Sequence, residues 1–385
     1  MIKLVTAHTA NIDDPETAVE EILEQIDRAV LLRNSSGIVG CCYEFAETGV
    51  ISALCERLPF DVIGCSTLGS AVNGGHGAEQ LSLAVLTSDE ATFSTSFSPP
   101  MAAGSIAEPV ADAWRQARGK LGGDPSLIFA LGPISSGDGV GILRRLDALS
   151  GGLPIFGTLS SDSALSLENS FVFCDGKISK DSMALLLVRG AVHPRFSAIA
   201  ISSKNIQSRT AVVTGSEGNL LKEVDGMPVG EYLAKIGVRV FGPEAVTILP
   251  FMVDYGDGAK PVAVSMYSIT PEGVYCAGEI PVGAKIAMAE VDGDSVMETA
   301  EAAVNLALED VRKNGGNGLI AIPCFTRGLL LSPRTEDEMA RTRELVGDAV
   351  PFLFIYSGGE MCPLYRKDGA ISNRFHNMTY TLVVF

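Results

Sequence analysis

Three short stretches near the C-terminal end of the chain carry residue types that could meet a charged small molecule. Leu319-Ile-Ala-Ile322 reads as a buried strand and ends in Pro323-Cys324-Phe325-Thr326-Arg327. Pro351–Tyr356 reads as a second buried strand, ending in Ser357-Gly358-Gly359-Glu360. His376-Asn377-x-Thr379 follows, read as the opening of the final strand. If the first two strands run parallel, their ends meet on one edge of a sheet, where ligands are commonly received. Arg327 could then grip a carboxylate as a two-pronged fork and Glu360 could accept an ammonium. The pair would match the zwitterion of an amino acid. The plainer reading is that the two pair with each other. Strand alternation puts His376 on one face with Met378, and Asn377 on the other with Thr379. The plainer role for His376 is a hydrogen bond to the backbone across the sheet.

A different chemistry is open to some of these residues. Cys324, His376 and Glu360 could serve as nucleophile, base and orienter. Yet Cys324 lies beside Ile322 and Phe325, the setting of an inert buried thiol. The sequence contains no G-x-S-x-G elbow, P-loop or H-E-x-x-H. The residues therefore argue against an enzyme.

The elements that must position these residues follow a pattern that returns. A strand over 2–7 precedes a helix capped by Asp14 with Pro15 at its first position, and Val19, Ile22, Leu23, Ile26 and Val30 share one helical face. A buried strand (38–43), a helix (48–58), a strand (60–65), a glycine-bearing turn and another strand (81–86) follow. The order recurs from Ile106 to Val188 and again from Ser295 to Phe385, with Ser295-x-x-Glu298 and Thr335-x-x-Glu338 read as helix caps. Gly64 and Gly157 fall at matching places, and Tyr356 takes that place in the third copy. Between the second and third copies, residues 196–283 read as short strands and turns with one helix, Val229–Ile236, which predicts an antiparallel, α+β region. The fold class is thus α/β and α+β, with a helix-strand-helix-strand-turn-strand unit repeated. Arg189-Gly190 breaks a strongly apolar strand, placing a division between residues 1–192 and 193–385.

Composition narrows the classes of function. The chain has 385 residues, 46% of them hydrophobic and 19% charged, as expected of a folded protein. A formal net charge of −17 argues against nucleic acid and anionic membrane as partners. No apolar run reaches the roughly 18–20 residues needed to cross a bilayer, and the N-terminus lacks a signal-peptide core, so a cytoplasmic protein is expected. The eight cysteines form no C-x-x-C pair, which speaks against a zinc ribbon or thioredoxin motif.

Taken together, the motifs resemble the FIST family of sensory domains from bacterial signal transduction. The N-terminal carriers are Gly64-Cys65-Ser66-Thr67 and Pro154-Ile-Phe-Gly157 through Asp162. The C-terminal carriers include Gly218-Asn219, Glu223-Val-Asp225-Gly226-x-Pro228, Cys324-Phe-Thr-Arg327, Ser357-Gly-Gly-Glu360 and His376-Asn377-x-Thr379. The resemblance implies a two-part domain that detects small ligands, with amino acids among the candidates. On that reading Arg327, Ser357, Gly358, Gly359, Glu360, His376, Asn377 and Thr379 form the ligand site, and residues 73–77 a mobile lid. The two halves use the whole chain, so its state would pass to a separate protein such as a histidine kinase or a cyclic-dinucleotide enzyme. One branch of the family carries haem and senses nitric oxide. For that role His193 is the first axial candidate and His376 the second.

Overall fold

The computed structural model describes residues 2–26, 31–101, 105–163, 166–238, 249–348 and 350–385; Val30, expected on the first helical face, lies outside them. Three units of the same build succeed one another. The first comprises β1 (Lys3–Thr9), α1 (Pro15–Gln25), β2 (Asn34–Cys41), α2 (Glu44–Glu47), α3 (Val50–Arg57), β3 (Val62–Ser66), β4 (Ser70–Val72), β5 (Gly75–Gly77) and β6 (Leu81–Ser88). The second comprises β7 (Thr92–Phe97), α4 (Ala107–Leu121), β8 (Leu127–Gly132), α5 (Gly139–Ser150), β9 (Ile155–Leu159), β10 (Val172–Cys174), β11 (Lys177–Ser179) and β12 (Ala184–Arg189). The third opens with β13 (Arg195–Ile199) and is then interrupted by β14 (Ala211–Glu217), β15 (Leu220–Val224), β16 (Met227–Pro228), α6 (Val229–Lys235), β17 (Pro250–Asp254), β18 (Val262–Thr270), β19 (Gly273–Cys276) and β20 (Lys285–Met288). It resumes with α7 (Gly293–Asn314), β21 (Leu319–Pro323), α8 (Phe325–Leu330), α9 (Asp337–Val346), β22 (Phe352–Ile355), β23 (Glu360–Tyr365), β24 (Ile371–His376) and β25 (Tyr380–Val384). The division expected at 192/193 falls between β12 and β13.

Each unit contributes a parallel pair to the middle of a six-stranded sheet: β2 with β3, β8 with β9, β21 with β22. The strand orders are β1-β6-β2-β3-β10-β11, β7-β12-β8-β9-β23-β24 and β13-β25-β21-β22-β4-β5. No unit keeps its own hairpin. The first unit's β4–β5 completes the third sheet, the second unit's β10–β11 the first sheet, and the third unit's β23–β24 the second sheet. The glycine-rich residues 73–77, expected as a mobile lid, are therefore built into a sheet. Gly75–Gly77 pair with Ser70–Val72, and the Asn73 side chain binds the backbone of Gly347, Val350 and Phe352.

One cluster draws its apolar side chains from all three sheets, including Ile63 and Leu86, Phe129 and Leu186, and Ile320 and Leu353. The opposite faces carry the helices: α1 and α3, α4 and α5, α7 and α9. Both faces of the central strands are thus buried, which is why they read as continuous apolar runs. The register corrects one expected equivalence. Ser66, Leu159 and Tyr356 each donate the backbone N–H to the hairpin side of the neighbouring unit, to the carbonyls of Phe171, Gly359 and Gly69. Phe354, not Tyr356, therefore matches Gly64 and Gly157. The hairpin residue opposite is Phe173, Met361 and Ala71 respectively, so a large residue on one strand meets a small one on the other.

The interrupting segment closes on itself. Its order is β14-β20-β17-β18-β19-β15, with β15 pairing back to β14 to close the ring and the two-residue β16 appended to β15. This six-stranded antiparallel barrel has its own core, including Val213, Leu221, Phe251, Val264 and Ile286.

Two helix starts differ from expectation. Asp292 caps α7, accepting from the Ser295 backbone N–H at 2.8 Å while the Ser295 hydroxyl accepts from the Asp292 N–H at 2.9 Å. The helix thus begins before Ser295, and Glu298 is not part of its cap. Glu338 does not cap α9 either; its carboxylate leaves the helix for a tertiary partner.

Candidate functional site

That partner is Arg327. The Phe325–Leu330 turn of helix carries it inward with no exposed surface. Its Nε and Nη2 donate to Glu338 Oε1 at 2.9 and 2.6 Å. Nη1 reaches the Met378 carbonyl at 3.2 Å, and Nη2 also reaches the Val296 carbonyl and Thr299 Oγ1. The Tyr356 hydroxyl donates to Glu338 Oε2 at 2.9 Å, and the Tyr380 ring packs against the guanidinium. Removal of two charges from water is costly unless they are paired and hydrogen-bonded, and here they are. The fork expected to grip a ligand carboxylate is committed to Glu338, not to Glu360. A charge at Glu338, on the helical face shared by buried Met339, Thr342 and Val346, is the signal that sequence reading passed over.

Glu360 opens β23, facing Thr158 of β9 and His376 of β24. It has no exposed surface, and its Oε2 accepts from the Thr379 backbone N–H at 3.4 Å. Its Oε1 is buried without a partner. Burial drives its pKa well above the ordinary carboxyl range, and nearby Cys324, Thr379 and Ser357 only partly oppose this. Burial of this kind favours the neutral acid, and a neutral acid is a poor receptor for an ammonium.

Ser357 is buried, its hydroxyl accepting from Thr158 Oγ1 at 2.7 Å and from the Gly359 N–H at 2.9 Å. The two glycines are forced by close packing. A Cβ at Gly358 would lie 2.4 Å from the Ser160 carbonyl oxygen, and one at Gly359 would lie 2.3 Å from the Phe375 ring.

His376, Asn377 and Thr379 do not open the final strand. His376 ends β24, and β25 begins at Tyr380. Met378 between them has φ 56°, a turn conformation in which strand alternation does not apply. The His376 ring meets the Cys362 carbonyl through Nε2 at 3.0 Å, the backbone role expected as its plainer reading. Burial depresses its pKa to about 4, so it is neutral at physiological pH. Asn377 ties the turn to the barrel: its N–H donates to the Ala263 carbonyl, and its Oδ1 accepts from the Ser265 N–H at 3.2 Å. Met378 packs with Ile201, Ala263 and Ala289 in the seam between barrel and third unit.

Beside this seam lies a cavity of about 460 Å³, within the range of small-molecule sites. The third unit supplies Ile199, Ile201 and Leu364; the barrel supplies Met252, Val262 and Ile286. His376 and Thr379 line it, and Asp254, Lys260 and Lys285 add charge from the barrel. Of the eight expected ligand residues, these two alone reach it.

The cysteine constellation is assembled only in part: Cys324 lies beside Glu360, which pairs across the strands with His376. Cys324 Sγ hydrogen-bonds Thr326 Oγ1 at 3.5 Å, and burial, with Glu360 adding, pushes the thiol up to about 12. No hydrogen bond among the described residues joins it to His376. Nor do the haem candidates fit their expected part. His193 is exposed and lines a second cavity of about 520 Å³, where apolar Ile2, Val192 and Phe385 stand beside charged Glu90 and Arg195 and polar Asn314 and Asn317. An axial ligand must be held towards the iron, and an exposed side chain is not so held. The His376 ring nitrogen Nε2 is already engaged by Cys362.

The profile of the FIST N domain matches residues 35–227, and that of the FIST C domain matches residues 229–363. The barrel straddles the two matches. No curated protein matches the chain. Among solved structures, a cyanuric acid hydrolase from A. caulinodans aligns over 100% of this chain and 98% of its own, at 9% identity and a TM-score of 0.35. That likeness is too low to bear on activity. With both profiles matched in order, the chain belongs to the FIST family, a family of sensory domains.

Proposed function

We propose that the protein senses a small molecule bound in the cavity between the barrel and the third unit, and passes its state to a separate signalling protein. The observation that carries this reading is the cavity's position. It is walled by two bodies with separate cores and lined by the two residues that flank their connecting turn. A ligand touching both bodies binds best at one separation of them, and that difference in affinity is what can shift a conformational equilibrium. An amino acid remains a candidate ligand, now with Asp254 as the acceptor for its ammonium and a barrel lysine for its carboxylate. A histidine kinase or a cyclic-dinucleotide enzyme fits the output role.

The test is a thermal-shift screen of the twenty amino acids and a panel of small organic acids, run beside an Ala200→Trp variant. Ala200 lines the cavity and is half-buried, so the indole can enter the space without overpacking a closed core. A compound that raises the melting temperature of the native protein by several degrees and leaves the variant unmoved supports the site. An equal shift in both rejects it.

A further inference from the structure

The charge on the cavity wall narrows the ligand class. Lys260 stands in the β17–β18 connection, and Lys285 opens β20 directly opposite Asp254 of β17. All three sit at one end of the barrel and line the cavity. Among the described residues, neither lysine makes an ion pair, whereas Lys204, Lys222 and Lys313 pair with Glu298, Glu217 and Glu309. Asp254 already accepts from the Gly256 N–H at 2.9 Å. Two ammoniums against one carboxylate leave one net positive charge on the lining, in a chain whose net charge is −17. The rest of the lining is mostly aliphatic, with Gln207, Thr210 and Thr379 as uncharged polar groups, and the His376 ring adds no positive charge.

We infer that the cavity takes a monoanionic organic acid with an apolar body, its acid group held between Lys260 and Lys285 and its body against Ile199, Ile201, Val262 and Ile286. This rests on the cavity being the ligand site, and it adds the sign and number of the charge. A polyanion would meet Asp254 and the negative field of the whole chain. A neutral apolar molecule would leave both lysines unanswered. A zwitterion would need Asp254 for its ammonium, and a simple acid does not.

The experiment uses two fluorescent probes of the same shape: 8-anilinonaphthalene-1-sulfonate, an apolar monoanion, and N-phenyl-1-naphthylamine, its uncharged parent. Titrations would be run on the native chain, on the Lys260→Met/Lys285→Met double variant, and on Ala200→Trp. Methionine keeps most of the apolar stem of each lysine and removes the ammonium. The expected result is at least tenfold tighter binding of the sulfonate than of the neutral probe to the native chain. The double variant should lose that advantage and keep its affinity for the neutral probe, and Ala200→Trp should lose both. Equal affinity for the two probes, or sulfonate binding unmoved by the lysine changes, overturns the monoanion inference and leaves the cavity reading standing. No binding of either probe, or binding of both undiminished by Ala200→Trp, overturns the cavity reading and this inference with it.

Discussion

Glu360 and His376 face each other across the first residue pair of β23 and β24, and burial pushes their pKa values in opposite directions. Each shift makes stability depend on pH. For His376 the folded value lies below the unfolded one, so stability is full above pH 6.5 and is lost as pH falls towards 4. The drop from 6.5 to about 4 corresponds to roughly 3 kcal/mol. For Glu360 the folded value lies above the unfolded one, so its contribution is full below the ordinary carboxyl range and is lost as pH rises through and beyond it. Glutamine mimics the neutral acid. Glu360→Gln should therefore gain on the order of 1 kcal/mol or more over the native chain at pH 8, with the gap closing near pH 4. Denaturant titrations across this range check the sign, and a gap that widens towards acid pH refutes it. At this scale, the residues singled out in the sequence are buried and closely packed, but often with neighbours other than those expected. Burial of Glu360 follows from the apolar run before it. The charge of Glu338 on a buried helical face was a legible signal, but its pairing with Arg327 was not, because the two meet only when the turn of α8 folds Arg327 inward. The Met378 turn was hidden by an apolar stretch that reads as an unbroken strand.

The strands and helices of the three units were legible because their patterns are strong. Central strands are apolar on both faces, and helices such as α1 show one buried stripe behind a cap at Asp14. The destination of the hairpins was not legible. Strands of three residues carry almost no periodic signal, and Val72 finds Leu353 from the other end of the chain. What the sequence does retain is the trade of sizes at the crossing point. A Cβ on Gly64 would stand 2.2 Å from the Phe173 ring and 2.8 Å from the Val39 carbonyl oxygen. Gly64→Ala should cost about 1–3 kcal/mol. Adding Phe173→Leu relieves the ring contact and not the carbonyl contact. The double variant should be more stable than the two single losses predict, by at least about 0.5 kcal/mol. Thermal or urea unfolding of the four proteins measures this, and strict additivity would show that the ring is not what the methyl meets.

The molecule as a whole joins three exchanged sheets to one barrel, and the barrel is held partly by a single asparagine. Asn377→Ala deletes the acceptor for the Ser265 N–H and should cost about 1 kcal/mol. Its sharper effect should be local: faster hydrogen exchange at β18 with the three sheets unchanged, read by mass spectrometry. Uniformly faster exchange would mean that the turn supports the whole fold. The barrel's closure escaped sequence reading for a physical reason, since β14 and β15 pair with a register shift that breaks simple alternation. The hairpin exchange also sets a timetable for synthesis on the ribosome. Every strand of the first sheet lies within residues 3–179, so that sheet can close while the rest of the chain is still being made. The second must wait for residues 360–376 and the third for residue 384, leaving β9 with an unsatisfied edge for half the length of translation. The nascent protein thus spends that interval with one finished wall and an open seam, the period in which a chaperone has most to shield.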